Sequence, residues 1–400
     1  VKRVCLLLLL GYTVASGALA APPPSPPPPP TGASNLAPRP APLPVLPPAP
    51  VVPAPGLPAG PAVAEQQIRT ALASQPNDAR LWNNLGVVLR RQGKLPEAVT
   101  AYQKAVRLNG RYADAYSNMA VALSSLRRYK EALQAIQQAL RLDRSNIVYR
   151  LNLATIYEGL GRDAEAAIEY QRYLQASTDS AAVYARLARL QGRLGRSEQM
   201  LVSWQKAVDS EPDSGEYRLA YGRALANANQ PFAAITQLEA AVRLKAIDAG
   251  GYLLLGTLYN AQEQSDAAAA ALREATRLDP GSARAHNDLG VALSKLGLNE
   301  EAVTALERAV SLAPDYAEAW SNLGVVQRRQ GKMQEAEAAY KRALALNDRL
   351  PQFHNNLGVL YLETSREKEA VSQFKEALER TPDYWEARRN MALASAVWVI

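Results

Sequence analysis

From Ala79 onward the apolar and polar residues recur in a 34-residue frame, nine times without an insertion or deletion, ending at Tyr384. Within each frame two stretches carry apolar residues at three-and-four spacing. In the first they are Leu85, Val88 and Leu89, then Ala98, Ala101, Tyr102 and Ala105, one stripe on each of two amphipathic helices. One helix pair cannot bury two such stripes alone, so the frames must stack on each other. The predicted repeats are 79–112, 113–146, 147–180, 181–214, 215–248, 249–282, 283–316, 317–350 and 351–384.

Residue size agrees with that reading. Position 8 of the frame holds only Gly or Ala, from Gly86, Ala120, Ala154 and Ala188 to Gly222, Gly256, Gly290, Gly324 and Gly358. Only small residues let two helix axes approach to the short end of the roughly 8–10 Å range. Position 20 is Ala except at Met200, and position 27 is Ala except at Tyr173.

Turn residues punctuate the pairs. Gly93, Gly161, Gly195, Gly297 and Gly331 stand at position 15, where a left-handed residue ends the first helix. Pro96 and Pro231 follow in the first turn of the second helix, and Pro212, Pro280, Pro314 and Pro382 at position 32 stop it. The frame also runs backwards, since Ala64, Ile68, Ala71 and Pro76 match positions 20, 24, 27 and 32. A half-repeat helix is therefore expected over 62–78, and a capping helix over 385–400.

Trp82, Leu85, Gly86, Leu89, Ala98, Tyr102 and Ala105, and in the eighth frame Trp320, Leu323, Gly324, Gln327, Ala336, Tyr340 and Ala343, resemble the tetratricopeptide repeat (TPR) signature W-x2-L-G-x2-Y, A-x3-F, A and P. The resemblance implies an all-α, right-handed α-solenoid of about nine helix pairs with flanking half-repeats. It also implies that the first helix of each pair lines a concave face, with positions 2, 5, 6, 9, 12 and 13 pointing into it.

Composition adds an N-terminal region of another kind. Lys2 and Arg3 precede the apolar run Val4–Leu10, and Ala18-Leu19-Ala20 forms a small-x-small cleavage site, so residues 1–20 read as a signal peptide. The protein is expected to be exported, periplasmic or secreted from a bacterium. A membrane tether is expected only if that segment stays uncleaved. Residues 21–61 hold 19 of the 27 prolines and read as an extended spacer. Cys5, the only cysteine, lies in the leader, so neither disulfides nor thiolate chemistry is expected of the mature chain. The net charge of +7 is mild and no basic run interleaves with aromatics, which argues against nucleic acid as a partner.

Catalytic chemistry finds no footing in the sequence. Gly93-Lys94 and Gly331-Lys332 lack the rest of a phosphate loop, and no dinucleotide, nucleophile-elbow or zinc-protease motif occurs. The two histidines, His286 and His354, sit at position 4, where Trp82 and Trp320 sit in other frames, and read as packing substitutes. No cofactor, metal or enzymatic activity is expected.

The wall implied by the resemblance carries the candidate site. Position 6 reads Asn84, Asn118, Asn152, then Arg186, Ala220, Leu254, Asp288, then Asn322, Asn356 and Asn390. An Asn amide both donates and accepts, which suits the backbone of an extended peptide, and the array resembles the asparagine ladder of protein O-linked sugar transferases. The other reading is that these residues only bond locally within the scaffold. Arg186, Arg189 and Arg193 share one helix face, and Arg223 occupies position 9 of the next repeat; such forks suit an acidic segment. A carboxylate clamp is fitted only partly by Arg80, Asn84 and Asn118, because Val148 and Asn152 stand where its last basic residues belong. The expected function is a scaffold that binds an extended peptide; the alternative is a subunit of an envelope polysaccharide or pilus export machine that contacts glycan or synthase. The apolar end Ala396-Val397-Trp398-Val399-Ile400 is expected to dock on the last repeat or, as a homodimer, on a second copy.

Overall fold

The computed structural model describes residues 60–177 and 180–397. The leader, the spacer up to residue 59 and the side chains of the apolar end lie outside the described residues. Among those described there are helices and no strand. After helix Pro61–Ser74, first helices begin at Ala79, Ala113, Ile147, Ala181, Gly215, Ala249, Ala283, Ala317, Pro351 and Trp385. Second helices begin at Leu95, Tyr129, Asp163, Ser197, Pro231, Ser265, Asn299, Met333 and Glu367. Both series step by 34 residues. The result is an all-α solenoid.

These residues form two compact units, divided between Ala228 and Asn229. One holds helix 61–74, repeats 1 to 4 and helix 215–227. The other holds helix 231–243, repeats 6 to 9 and helix 385–397. Within each unit a first helix packs most closely on its own second helix, which in turn packs on the next first helix.

Small residues set these distances. Ala98, Ala132, Ala166, Ala268, Ala302, Ala336 and Ala370 at position 20 have no exposed surface, so nothing larger fits there without displacing a helix. Opposite position 8 sits the large residue of position 24, among them Tyr102, Leu272, Leu306, Tyr340 and Phe374, all fully buried. A Cβ added at Gly290 would lie 2.5 Å from Cγ of Leu306, a branch point that cannot swing away. The aromatic or branched residue therefore lies directly on the backbone of the first helix.

Most first helices are also fastened at their start. Asp78, Asn146, Ser214, Asp248 and Ser282 cap with side chains that accept from the first turn. Position 4 adds a second clasp. Trp82 Nε1 donates to Pro76 O (2.8 Å), Trp320 Nε1 to Pro314 O (3.1 Å), Arg218 Nε to Pro212 O (2.7 Å) and Arg388 Nη2 to Pro382 O (2.6 Å). His286 Nε2 and His354 Nε2 lie 3.2 and 3.1 Å from the carbonyls of Pro280 and Asp348 in the same relation. Burial lowers the pKa of His286, which favours the neutral ring with its proton on the nitrogen facing the carbonyl. These histidines replace Trp as donors as well as in volume.

The end of each first helix demands a left-handed residue whether or not glycine is present. Position 15 has positive φ at all five expected glycines and also at Arg127 (59°), Asn229 (57°), Glu263 (60°) and Ser365 (58°). A side chain in that region costs about 1–2 kcal/mol, and asparagine is the residue that tolerates it best. Replacing Glu263 or Ser365 by Gly is expected to raise stability by about 0.5–1 kcal/mol, after the extra freedom of glycine in the unfolded chain is set against the relief. Asn229→Gly is expected to gain less. Denaturant midpoints check the order; a lower midpoint for Glu263→Gly contradicts it.

Candidate functional site

The face carrying positions 5 and 6 is built by bonds between neighbouring first helices. Asn118 Nδ2 donates to Asn83 Oδ1 (3.0 Å) and Asn152 Nδ2 to Ser117 Oγ (3.1 Å) in the first unit. In the second, Asn322 Nδ2 donates to Asn287 Oδ1 (3.0 Å), Asn356 Nδ2 to Ser321 Oγ (3.3 Å) and Asn390 Nδ2 to Asn355 Oδ1 (3.0 Å). Every pair is 35 residues apart, one repeat plus one residue. From Asn118 and Asn152 to Asn322, Asn356 and Asn390, each position-6 asparagine grips position 5 of the preceding repeat.

The same offset recurs at both ends of the helices. Tyr149 Oη donates to Asp114 Oδ1 (2.5 Å) near the start. Near the end, Lys295 Nζ donates to Asn260 O (3.3 Å), Arg329 Nη1 to Ser294 Oγ (2.8 Å) and Arg328 Nη1 to Glu363 Oε1 (2.5 Å).

This geometry divides the predicted ligand-binding asparagines into two groups. Asn84, Asn118 and Asn152 are half-buried. Asn322, Asn356 and Asn390 are only 1–2% exposed. For these three, local bonding accounts for the observed geometry. The signal lay in the sequence one position away, since Asn at position 6 follows a repeat with Asn or Ser at position 5. Where position 5 is Leu151, Ala185 or Leu253, the next position 6 is Arg186, Ala220 or Asp288.

The arginines expected as an open basic patch are neutralised by the chain itself. Arg186 Nη1 donates to Glu158 Oε2 (3.1 Å), Arg189 Nη2 to Glu216 Oε1 (2.7 Å), and Arg193 binds both oxygens of Asp163 (2.6 and 2.8 Å). Arg186 is buried, and Arg189 also stacks over Trp204. Arg223 is half-buried and engaged as well. The sequence pattern placed these cations on one face but gave no sign of the carboxylates, which come from other repeats. Here successive first helices do not meet closely, unlike those joined by the Asn and Ser bonds. Long side chains bridge the wider gap.

Position 6 of repeat 7 is the exception in chemistry. Asp288 is 3% exposed; it accepts from Thr257 Oγ1 (2.8 Å) and Asn287 Nδ2 (3.1 Å), with Arg284 at 3.9 Å. Burial pushes its pKa above the usual carboxylate range, against the opposing pull of Thr257, Arg284 and Asn287.

Sequence models described as tetratricopeptide repeat or TPR repeat match residues 77–145, 117–181, 256–297, 289–352 and 335–385, together more than half of the chain. The chain belongs to the TPR family. Among solved structures, this TPR array is similar to the APC/C Cut9–Hcn1 hetero-tetramer at 15% identity (84% of this chain, 83% of that one, TM-score 0.44). It is also similar to TTC0263, a thermophilic TPR protein of Thermus thermophilus, at 26% identity (46% and 100%, TM-score 0.39). A third likeness is to YrrB, described as a TPR protein with an unusual peptide-binding site, at 18% identity (56% and 97%, TM-score 0.38). No curated protein matches the chain. TPR arrays are in general scaffolds for protein–protein interaction, and this chain is such a scaffold.

Two outcomes follow for the TPR interior. Asn355→Leu leaves the buried amide of Asn390 without its acceptor and is expected to cost about 1–3 kcal/mol. The double change Asn355→Leu/Asn390→Leu is expected to cost less than the sum of the single changes, as a double-mutant cycle of denaturation measures; additivity would contradict the bond. The raised pKa of Asp288 means that its contribution to stability is complete below the unfolded carboxylate pKa of about 3.9 and is lost as pH rises through the folded value. Asp288→Asn is therefore expected to be more stable than the parent near pH 7, with the gap shrinking toward pH 4; thermal melts across pH test the trend.

Proposed function

We propose that this scaffold holds an extended segment of another protein along the first-helix face of repeats 1 to 3, without catalysing a reaction. The observation that supports it most directly is the state of Asn118 and Asn152. Each has one N–H fixed by the preceding repeat, which sets the orientation of the amide, while the residue as a whole is not fully buried. A pre-oriented amide loses little freedom when it pairs with a peptide backbone. Asn84 and the exposed Arg80 extend the same face by one repeat.

The neutralised arginines bear on what is bound. With Arg186, Arg189 and Arg193 already paired, an acidic partner gains only by displacing Glu158, Glu216 and Asp163. Recognition of backbone rather than of charge is the reading favoured. Export rests on the leader and its cleavage site, and would put the partner in the envelope or outside the cell.

A photoreactive amino acid at Val121, half-buried at position 9 of repeat 2, is expected to capture a protein partner in native envelopes. The same group at Val202, exposed on a second helix, is not. Equal capture from both sites, or capture of carbohydrate alone, overturns the proposal.

A further inference from the structure

A cleft at the junction of repeats 2 and 3 lies outside that face, where helix 129–142 ends and helix 147–159 begins. Its volume is about 410 Å³, and Gln137, Leu140, Arg141, Arg144 and Arg150 line it. Among the described residues the lining holds three guanidinium groups and an amide but no carboxylate. The geometry points to a binding site for a phosphate monoester.

The three cations differ in how they are held. Arg150 is fixed, donating from Nη2 to Arg144 O (3.0 Å) and from Nη1 to Glu169 Oε2 (3.3 Å). Glu169 divides its charge, since Oε1 also takes Arg172 Nη1 at 2.5 Å. Arg141 and Arg144 are exposed, and among the described residues neither guanidinium has an ion pair or hydrogen bond. Some exposed arginines pair with a carboxylate, as in Arg128–Glu131 and Arg162–Glu165 at 2.7 Å and Arg277–Glu274 at 2.9 Å, while others, such as Arg91, Arg107 and Arg308, stand apart; what sets Arg141 and Arg144 off is that they share one cleft with Arg150. The adjacent carboxylate, Asp143, is turned instead to the amide and hydroxyl of Ser145 (3.0 and 2.7 Å).

Arg141 in the last helical turn also complements the helix dipole, a role Arg144, beyond the helix end, does not share. Like charges gathered on one cleft repel unless an anion lies between them. Arginine forks match the oxygens of phosphate, and a dianion answers two unpaired guanidiniums better than a carboxylate does. The cleft is shallow and open to solvent, which suits a charged headgroup held by its phosphate rather than an enclosed ligand. Leu140 supplies an apolar surface for whatever the phosphate is esterified to. The ester arrives either on a free small molecule or on a lipid headgroup.

Both sources are tested with the full chain at low salt. Glycerol 3-phosphate is titrated by calorimetry, and sedimentation is followed with phosphatidylcholine vesicles with and without phosphatidic acid. At least one arm is expected to show saturable, phosphate-dependent binding that falls at least about tenfold in Arg141→Ala/Arg144→Ala. Binding is expected to be unchanged in Arg277→Ala, an exposed and paired arginine of the other unit. Since neither guanidinium makes a bond among the described residues, the double variant is expected to melt close to the parent, losing only the modest helix-dipole contribution of Arg141. Failure of both arms, or equal binding by parent and double variant, or equal loss in Arg277→Ala, overturns the assignment.

Discussion

The structure depends on how one first helix meets the next. Where successive first helices touch, they do so with a displacement of one residue, so side chain i faces side chain i + 35 in a chain whose repeat is 34. That single relation selects the polar residues on three tiers, from Tyr149 on Asp114 through Asn118 on Asn83 to Arg329 on Ser294. It also explains why short amides and hydroxyls suffice there. Between repeats 3, 4 and 5 the first helices do not meet closely, and the bridges become Arg186–Glu158, Arg193–Asp163 and Arg189–Glu216. Across that wider gap the bridges are ion pairs of long side chains rather than amides and hydroxyls.

Small residues on the opposite side make this contact possible. With alanine at position 20 and glycine or alanine at position 8, the two helices of a repeat come close enough for position 24 to rest on bare backbone. In a solenoid each repeat meets only its neighbours, so stability is approximately a sum of intrinsic and interface contributions. Apolar interfaces alone would tolerate a slip of one helix along another. A buried amide would not, because a slip leaves it without a partner at a cost of about 1–3 kcal/mol. The bonds 35 residues apart therefore fix the register of an otherwise slippery contact.

Most of the fold was legible from the apolar period, because a 34-residue frame without insertions leaves little freedom to the helix boundaries. The left-handed helix ends were legible only where glycine marks them; Arg127, Glu263 and Ser365 adopt the same conformation because the helix pair imposes it. The wall was legible by position but not by role. Asn322, Asn356 and Asn390 look identical in sequence to Asn118 and Asn152, yet burial separates them. The pairing of the arginine face was illegible for a different reason. Helical spacing aligned Arg186, Arg189 and Arg193, whereas their carboxylates lie 27 to 30 residues away on neighbouring repeats. Spacing within one helix carries no information about that.

The two uses of asparagine are physically connected. An amide has two N–H donors and a carbonyl, and gripping the preceding repeat consumes one donor. What remains is aimed by that bond at a fixed angle. On the proposed reading, the ladder that serves the scaffold also serves a ligand where burial is incomplete, at Asn118 and Asn152 of repeats 2 and 3. Selection for a rigid register and selection for backbone recognition favour the same residue at the same position. Its presence in sequence cannot separate them, and only the exposure of the remaining amide edge does.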